Sequence, residues 1–170
     1  MGDYRMMGLA AIALGSNLDS GFGDREANLR EAVRRVGELG EVRAVSSFYD
    51  TEPVGYREQP RFLNGAMLLE TELEPVALMR ALLGVERAMG REREGAVAKG
   101  PRVIDLDLLL YREEGGVEVV MSTEELTLPH PEMQERWFVL EPLAEIAPER
   151  VHPVLGVTIR DLLAKLNRHS

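Results

Sequence analysis

GPRVIDLDLLLY, Gly100 to Tyr111, decides how the rest of the chain is read. Val103 to Leu110 has the composition of a buried β-strand, yet it carries Asp105 and Asp107 two residues apart. Side chains alternate between faces along a strand, so the two aspartates share one face, roughly 7 Å apart. Ile104, Leu106, Leu108 and Leu110 are expected on the other face, in the core. Two neighbouring carboxylates repel and raise one pKa unless a cation sits between them. Hard oxygen ligands on a rigid strand suit Mg²⁺, which completes its shell with water and substrate phosphates. Two such ions about 3.5–4 Å apart make the clamp used in phosphoryl transfer. A bare D-x-D is a short motif, and the alternative is an outward strand face whose aspartates pair with nearby arginines.

Immediately upstream the chain is basic. Arg80, Arg87, Arg91, Arg93, Lys99 and Arg102 face only Glu86, Glu92 and Glu94, in a protein whose net charge is −9. A positive segment in an acidic protein suits a small anionic ligand, or else a salt-bridged helix end with solvated arginines. The overall acidity argues against coating nucleic acid or anionic membrane. The stretch REREGAVAKGP before the strand is polar, holds two glycines, and reads as a mobile loop.

Further out, the pattern is regular. Gly8 to Leu14 reads as a strand ending in the turn GSN, and Asp24 as the N-cap of a helix to about Leu39. Leu29, Ala32, Val33, Val36 and Leu39 line its inner face. Glu41 to Tyr49 reads as a strand, TEPVGYREQP (Thr51 to Pro60) as a loop, and Arg61 to Thr71 as a strand. In that strand Phe62, Asn64, Ala66 and Leu68 share a face. Pro75 opens a helix to about Met89, and Gly90 stops it. After Tyr111 come a turn at Glu113 to Gly116, a short strand Val117 to Met121, and a mixed tail ending in a helix from Ile159 to Leu166. Strand–helix–strand–strand–helix–strand is the order of a ferredoxin-like α+β sandwich, βαββαβ, with an extra C-terminal strand and helices decorating it. The 170 residues are expected to form one catalytic domain with residues 1–7 as a flexible tail.

Cysteine is absent, which suits a reducing cytosol and a cytoplasmic protein. No apolar run approaches a membrane span, and MMGLAAIALGS makes a better first strand than a secretory segment because Asp3 spoils its head. A phosphate-binding G-x-x-x-x-G-K-[ST] loop, H-E-x-x-H and a nucleophile elbow are all missing, so a bound nucleotide must be held by side-chain arginines and metal.

Two other constellations carry chemistry. Asn64 beside Phe62 is the pair that reads a flat heterocycle by hydrogen bonding and stacking, or else a strand-end amide and a core aromatic. In LPHPEMQERWFVL, His130 lies between two prolines and is followed by Arg136, Trp137 and Phe138. That cluster can bind phosphate and stack a ring, or pack a loop on the core through Trp137 and Phe138.

GPRVIDLDLLLY, LPHPEMQERWFVLEPLAEIAP and ALGSNL…SSFYDTEPVG…QPRFLN together closely resemble the 6-hydroxymethyl-7,8-dihydropterin pyrophosphokinase family of folate biosynthesis, from about Ala11 to Pro148. That family transfers pyrophosphate from ATP to the pterin hydroxymethyl group and releases AMP. The resemblance implies two Mg²⁺ ions on Asp105 and Asp107, and a catalytic group of Arg91, Arg102, Asp105 and Asp107. It implies that Phe62 and Phe138 sandwich the pterin, while Asn64 with Thr51, Pro53, Val54 and Gly55 reads its edge. Glu86, Arg91, Arg93, Arg102, Ile104, Thr127, His130 and Arg136 match positions near ATP, and Asn17 a position near the hydroxymethyl end. Its partners would be these small molecules, with neither nucleic acid nor membrane, and the protein a monomer. Lys99 and Trp137 depart from the family pattern, and the loops at Thr51 and after Gly90 are expected to move as substrates bind. The rivals are a nucleobase- or RNA-stacking sheet, a pterin binder without catalysis, and another Mg²⁺-dependent transferase on the same fold.

Overall fold

The computed structural model describes residues 6–51, 60–90 and 102–168, the last of these by its backbone. The first strand, β1 (Gly8–Ser16), is the centre of the architecture. It pairs antiparallel on one side with β4 (Phe62–Thr71) and on the other with β5 (Asp105–Arg112). β2 (Glu41–Val45) and β3 (Tyr49–Thr51) both pair antiparallel with β4, completing a five-stranded sheet of order β2-β4-β1-β5. β1 is rich in alanine and glycine and buried along almost its whole length, because both of its faces are covered.

One face packs on α1 (Arg25–Val36) and α2 (Pro75–Ala88). Asp24 caps α1, its carboxylate accepting from the Ala27 N–H at 2.9 Å. Pro75 sits in the first turn of α2, where its missing N–H costs nothing. Ile12, Leu14, Met67 and Leu69 meet Leu29, Ala32, Val36, Leu78 and Leu82 in this core. The other face packs on α3 (Trp137–Ile146) and α4 (Ile159–Arg168), where Ala11, Ala13, Ala66 and Leu68 meet Val139, Leu140, Leu143, Ile159 and Leu162. The C-terminal third therefore does more than decorate, since it supplies the second layer of helices.

Several expected boundaries change. The expected strand from Glu41 to Tyr49 breaks into β2 and β3. Between them Ser46 bonds to Ala66 by both its N–H and its hydroxyl, and the Ser47 N–H turns to the Glu145 carboxylate of α3. Thr51 belongs to β3, with Phe62 opposite it, and is buried rather than part of a loop. Gly15 and Ser16 remain in β1 where a turn was expected. The helix of α1 stops at Val36 and runs on as a 3-10 turn to Leu39. The expected strand Val117 to Met121 reduces to a single bridge, Arg112 to Glu118, followed by the two-residue strand β6 (Met121–Ser122) paired with β7 (Thr127–Leu128).

The most informative correction is Leu110. Ile104, Leu106 and Leu108 face the α1–α2 core as alternation requires. The register of β5 on β1 shifts between Ala11 and Ile12, however, and this bulge sends both Leu109 and Leu110 to the opposite core. Tyr111 then takes the place on the first face.

Candidate functional site

The site assembles at one end of the sheet, on the face that further along packs against α3 and α4. Gly15 of β1 lies opposite Asn64 of β4 and opposite Asp105 of β5, so one row crosses three strands. The next row on the same face is Ala66, Ala13 and Asp107. With neighbouring strands about 4.8 Å apart, Asn64 and Asp105 stand about 10 Å from one another across the glycine. A Cβ on Gly15 would lie 3.1 Å from Asn64 Oδ1, 3.6 Å from Phe62 Cδ1 and 4.0 Å from Asp105 Cβ. The missing side chain thus opens a floor between an amide, an aromatic ring and a carboxylate.

On the amide side, Thr51 and Asn64 are both buried, and the Asn64 Nδ2 donates to the Thr51 hydroxyl. That bond fixes the plane of the amide. An open pocket of about 390 Å³ lies alongside, lined by Asp50, Thr51, Arg61, Glu135, Arg136, Trp137 and Phe138. Trp137 is 45% exposed on this pocket, so it does not pack on the core. Arg136 pairs with Glu132 and lies over the Phe138 ring, 5.9 Å from its centroid. Phe62 and Phe138 are both half-buried, and Phe62 reaches the site through the row beside Gly15.

Asp50 organises the rim. It bonds Arg61 at 2.6 Å and Arg25 of α1 at 3.0 Å, and Arg25 also donates to the Arg61 carbonyl. The hydrogen bonds from Arg25 and then Arg61 hold the Asp50 carboxyl below the usual carboxylate range. Nothing in the sequence alone singled out this triad, because its members come from three separate stretches of chain.

On the carboxylate side, Asp105 and Asp107 are half-buried on β5. Glu86 of α2 is wholly buried, and its carboxylate accepts the N–H of Leu106 at 2.8 Å, between the two aspartates. Ile104 gives its side chain to the core. His130 donates its N–H to the Leu109 carbonyl of β5 and accepts the Glu132 N–H on Nδ1. Burial, and then the Arg136 charge, push the His130 imidazole below its ordinary pKa, so it is neutral near pH 7. Thr127, in β7, precedes it. Of the basic segment, Arg80 is spent on Glu125 at 2.6 Å, as the salt-bridge alternative expects.

Asn17 joins the two sides. Its Oδ1 accepts the Arg102 N–H at 2.6 Å, its own N–H donates to the Arg102 carbonyl at 2.9 Å, and its Nδ2 donates to the Pro60 carbonyl at 3.0 Å. Arg91, Arg93 and Lys99, like Pro53, Val54 and Gly55, lie outside the described residues, as do the two stretches expected to move. Among the described residues no group of three His, Cys, Asp or Glu side chains converges as a closed metal site. Among them, too, no helix is long and apolar enough to cross a membrane.

The antiparallel sheet between two helical layers is an α+β architecture, and the floor flanked by an amide and two carboxylates is its candidate small-molecule site. The family profile described as 7,8-dihydro-6-hydroxymethylpterin-pyrophosphokinase (HPPK) matches residues 11–148. The chain belongs to that family, and by that membership it is a pyrophosphokinase of folate biosynthesis. It is 46% identical over 146 residues to the 2-amino-4-hydroxy-6-hydroxymethyldihydropteridine pyrophosphokinase of Bacillus subtilis, covering 85% of this chain and 81% of that protein. The enzyme of the same name from Methylorubrum extorquens is 45% identical, with 93% of each chain covered. The folic acid synthesis protein fol1 of Schizosaccharomyces pombe is 39% identical over 93% of this chain, which spans only 20% of that longer protein. A crystal structure of wild-type Plasmodium falciparum HPPK-DHPS shares the fold at a TM-score of 0.69 and 15% identity, over 96% of this chain and 45% of that one.

Proposed function

We propose that this chain transfers the pyrophosphoryl group of ATP to the hydroxymethyl group of 6-hydroxymethyl-7,8-dihydropterin and releases AMP. The observation that carries this is the row Asn64, Gly15 and Asp105, with an amide and a carboxylate on either side of an open floor. A pterin ring held at Asn64 would point its hydroxymethyl arm along the row towards Asp105. Phe62 and Phe138 would stack on the ring, and Thr51, with Pro53, Val54 and Gly55, would read its edge.

The hydroxymethyl oxygen attacks the β-phosphorus, the bond from that phosphorus to the α–β bridging oxygen breaks, and AMP leaves with that oxygen. The hydroxyl proton is lost late, towards Asp107. Such a reaction asks the protein for positioning and charge neutralisation more than for covalent chemistry. Arg102, Thr127, His130 and Arg136, together with Arg91 and Arg93, would hold ATP. Glu86 and Ile104 would act from behind, through the backbone of β5. The donor set fits Mg²⁺, because two half-buried carboxylates on one strand leave the rest of the shell to water and phosphate. Two ions there would neutralise the triphosphate. In the same reading the sheet with α1 and α2 is a ferredoxin-like unit, and the chain works as a single-domain monomer in the cytoplasm.

Replacing Asp107 by Ala tests the assignment. AMP release is expected to fall by at least about 10²–10³-fold, while the pterin Kd stays within about threefold. Full turnover in that variant would remove Asp107 from the metal site.

A further inference from the structure

The backbone enters β4 through Pro60, two residues before Phe62, and enters β5 through Arg102, three residues before Asp105. Both points of entry are bonded to one buried side chain, Asn17, which is 2% exposed at the end of β1. The amide uses both of its ends. Oδ1 takes the Arg102 N–H and Nδ2 gives to the Pro60 carbonyl, while the Asn17 N–H adds a second bond to Arg102. Arg102 therefore cannot move relative to Pro60 without stretching a bond to the same planar group. An amide is the one short side chain that can donate at one end and accept at the other. An aspartate would meet the Pro60 carbonyl with a second acceptor.

We infer that Asn17 is a positioning residue that couples the two substrate sites, so that ordering the phosphate side at Arg102 tightens the pterin side at Phe62 and Asn64. This inference rests on the function proposed above. Coupling of this kind is reciprocal, and nucleotide must raise pterin affinity by the same factor as pterin raises nucleotide affinity. A residue that only supports the fold would weaken both sites without touching that factor.

The test measures four dissociation constants by calorimetry: 6-hydroxymethyl-7,8-dihydropterin alone and with saturating α,β-methylene ATP in Mg²⁺, and the converse pair. The unmodified chain is expected to show equal factors in the two directions. Asn17→Asp keeps the acceptor for Arg102 and loses only the donor to Pro60. It is expected to lower the coupling factor on the order of tenfold or abolish it, as the loss of one buried hydrogen bond allows. Nucleotide affinity measured alone should stay within about threefold. In turnover, kcat should fall further than the KM for either substrate rises. Asn17→Ala, which cuts both side-chain bonds, should lose the coupling as well, whatever its melting temperature. An unchanged coupling factor in Asn17→Asp, or no coupling in the unmodified chain, overturns the inference while leaving AMP formation and the proposed function intact. Failure of the unmodified chain to bind pterin or nucleotide at all overturns both.

Discussion

At Gly15 a single missing side chain leaves an open floor on the sheet. Strands favour residues that pack, and glycine inside one weakens it. Its presence in β1 makes sense because Asn64, Phe62 and Asp105 converge on the place a Cβ would fill. Thr51 holds Asn64 in place, so the amide cannot simply swing away. Gly15→Ala is expected to raise the pterin Kd by about threefold and Gly15→Val by more than about tenfold, as overpacking against a fixed neighbour does. Nucleotide binding should change less, since the nearest atom of Asp105 is at ordinary contact distance. Titration of both variants with the pterin checks this, and unchanged affinity in Gly15→Val would mean that the ring does not lie on this floor. At this scale the sequence was informative where chemistry is local. Asp105 and Asp107 could be placed on one face from the two-residue period alone. The part played by Asn17 could not, because its partners Pro60 and Arg102 lie 43 and 85 residues away.

Elements obey the same division. The helices α1 and α2 could be read from an N-cap, a leading proline and apolar spacing, all of which act within a turn or two. The bulge in β5 and the break between β2 and β3 could not, since each is imposed by a neighbouring element. Glu145 of α3 makes that break. It accepts the Ser47 N–H at 2.9 Å, the Ser47 hydroxyl at 3.1 Å and the Tyr49 hydroxyl at 2.6 Å. Its hydrogen bond, and then burial, push the Tyr49 phenol up to about 12. Because the folded pKa lies above the ordinary value of 10.0, the native state resists deprotonation that the unfolded chain accepts. The stabilisation from this bond is complete below pH 10 and is lost as the pH rises towards about 12. The urea midpoint is therefore expected to decline over that interval, and to decline less steeply in Tyr49→Phe. An identical slope in the two proteins would show that Tyr49 does not anchor α3.

The molecule as a whole is a sheet with a core on each face, and the site lies where one face runs out of helix. α3 covers that face through Val139, Leu140 and Leu143, while Trp137 and Phe138 at its start turn to the pocket. Farther along the chain, Arg150 ties the C-terminal segment to the rest by a buried pair with Glu118 at 2.7 Å and a bond to the Leu9 carbonyl. In the proposed reading, a rigid frame of this kind would let a few side chains on three strands hold two substrates in line. Whether the end of that frame carries pyrophosphoryl transfer is decided by the adenosine product. Incubated with ATP, Mg²⁺ and 6-hydroxymethyl-7,8-dihydropterin, the protein should release AMP in step with consumption of the pterin, as resolved by chromatography. Release of ADP, or AMP formed at the same rate without the pterin, would contradict the account.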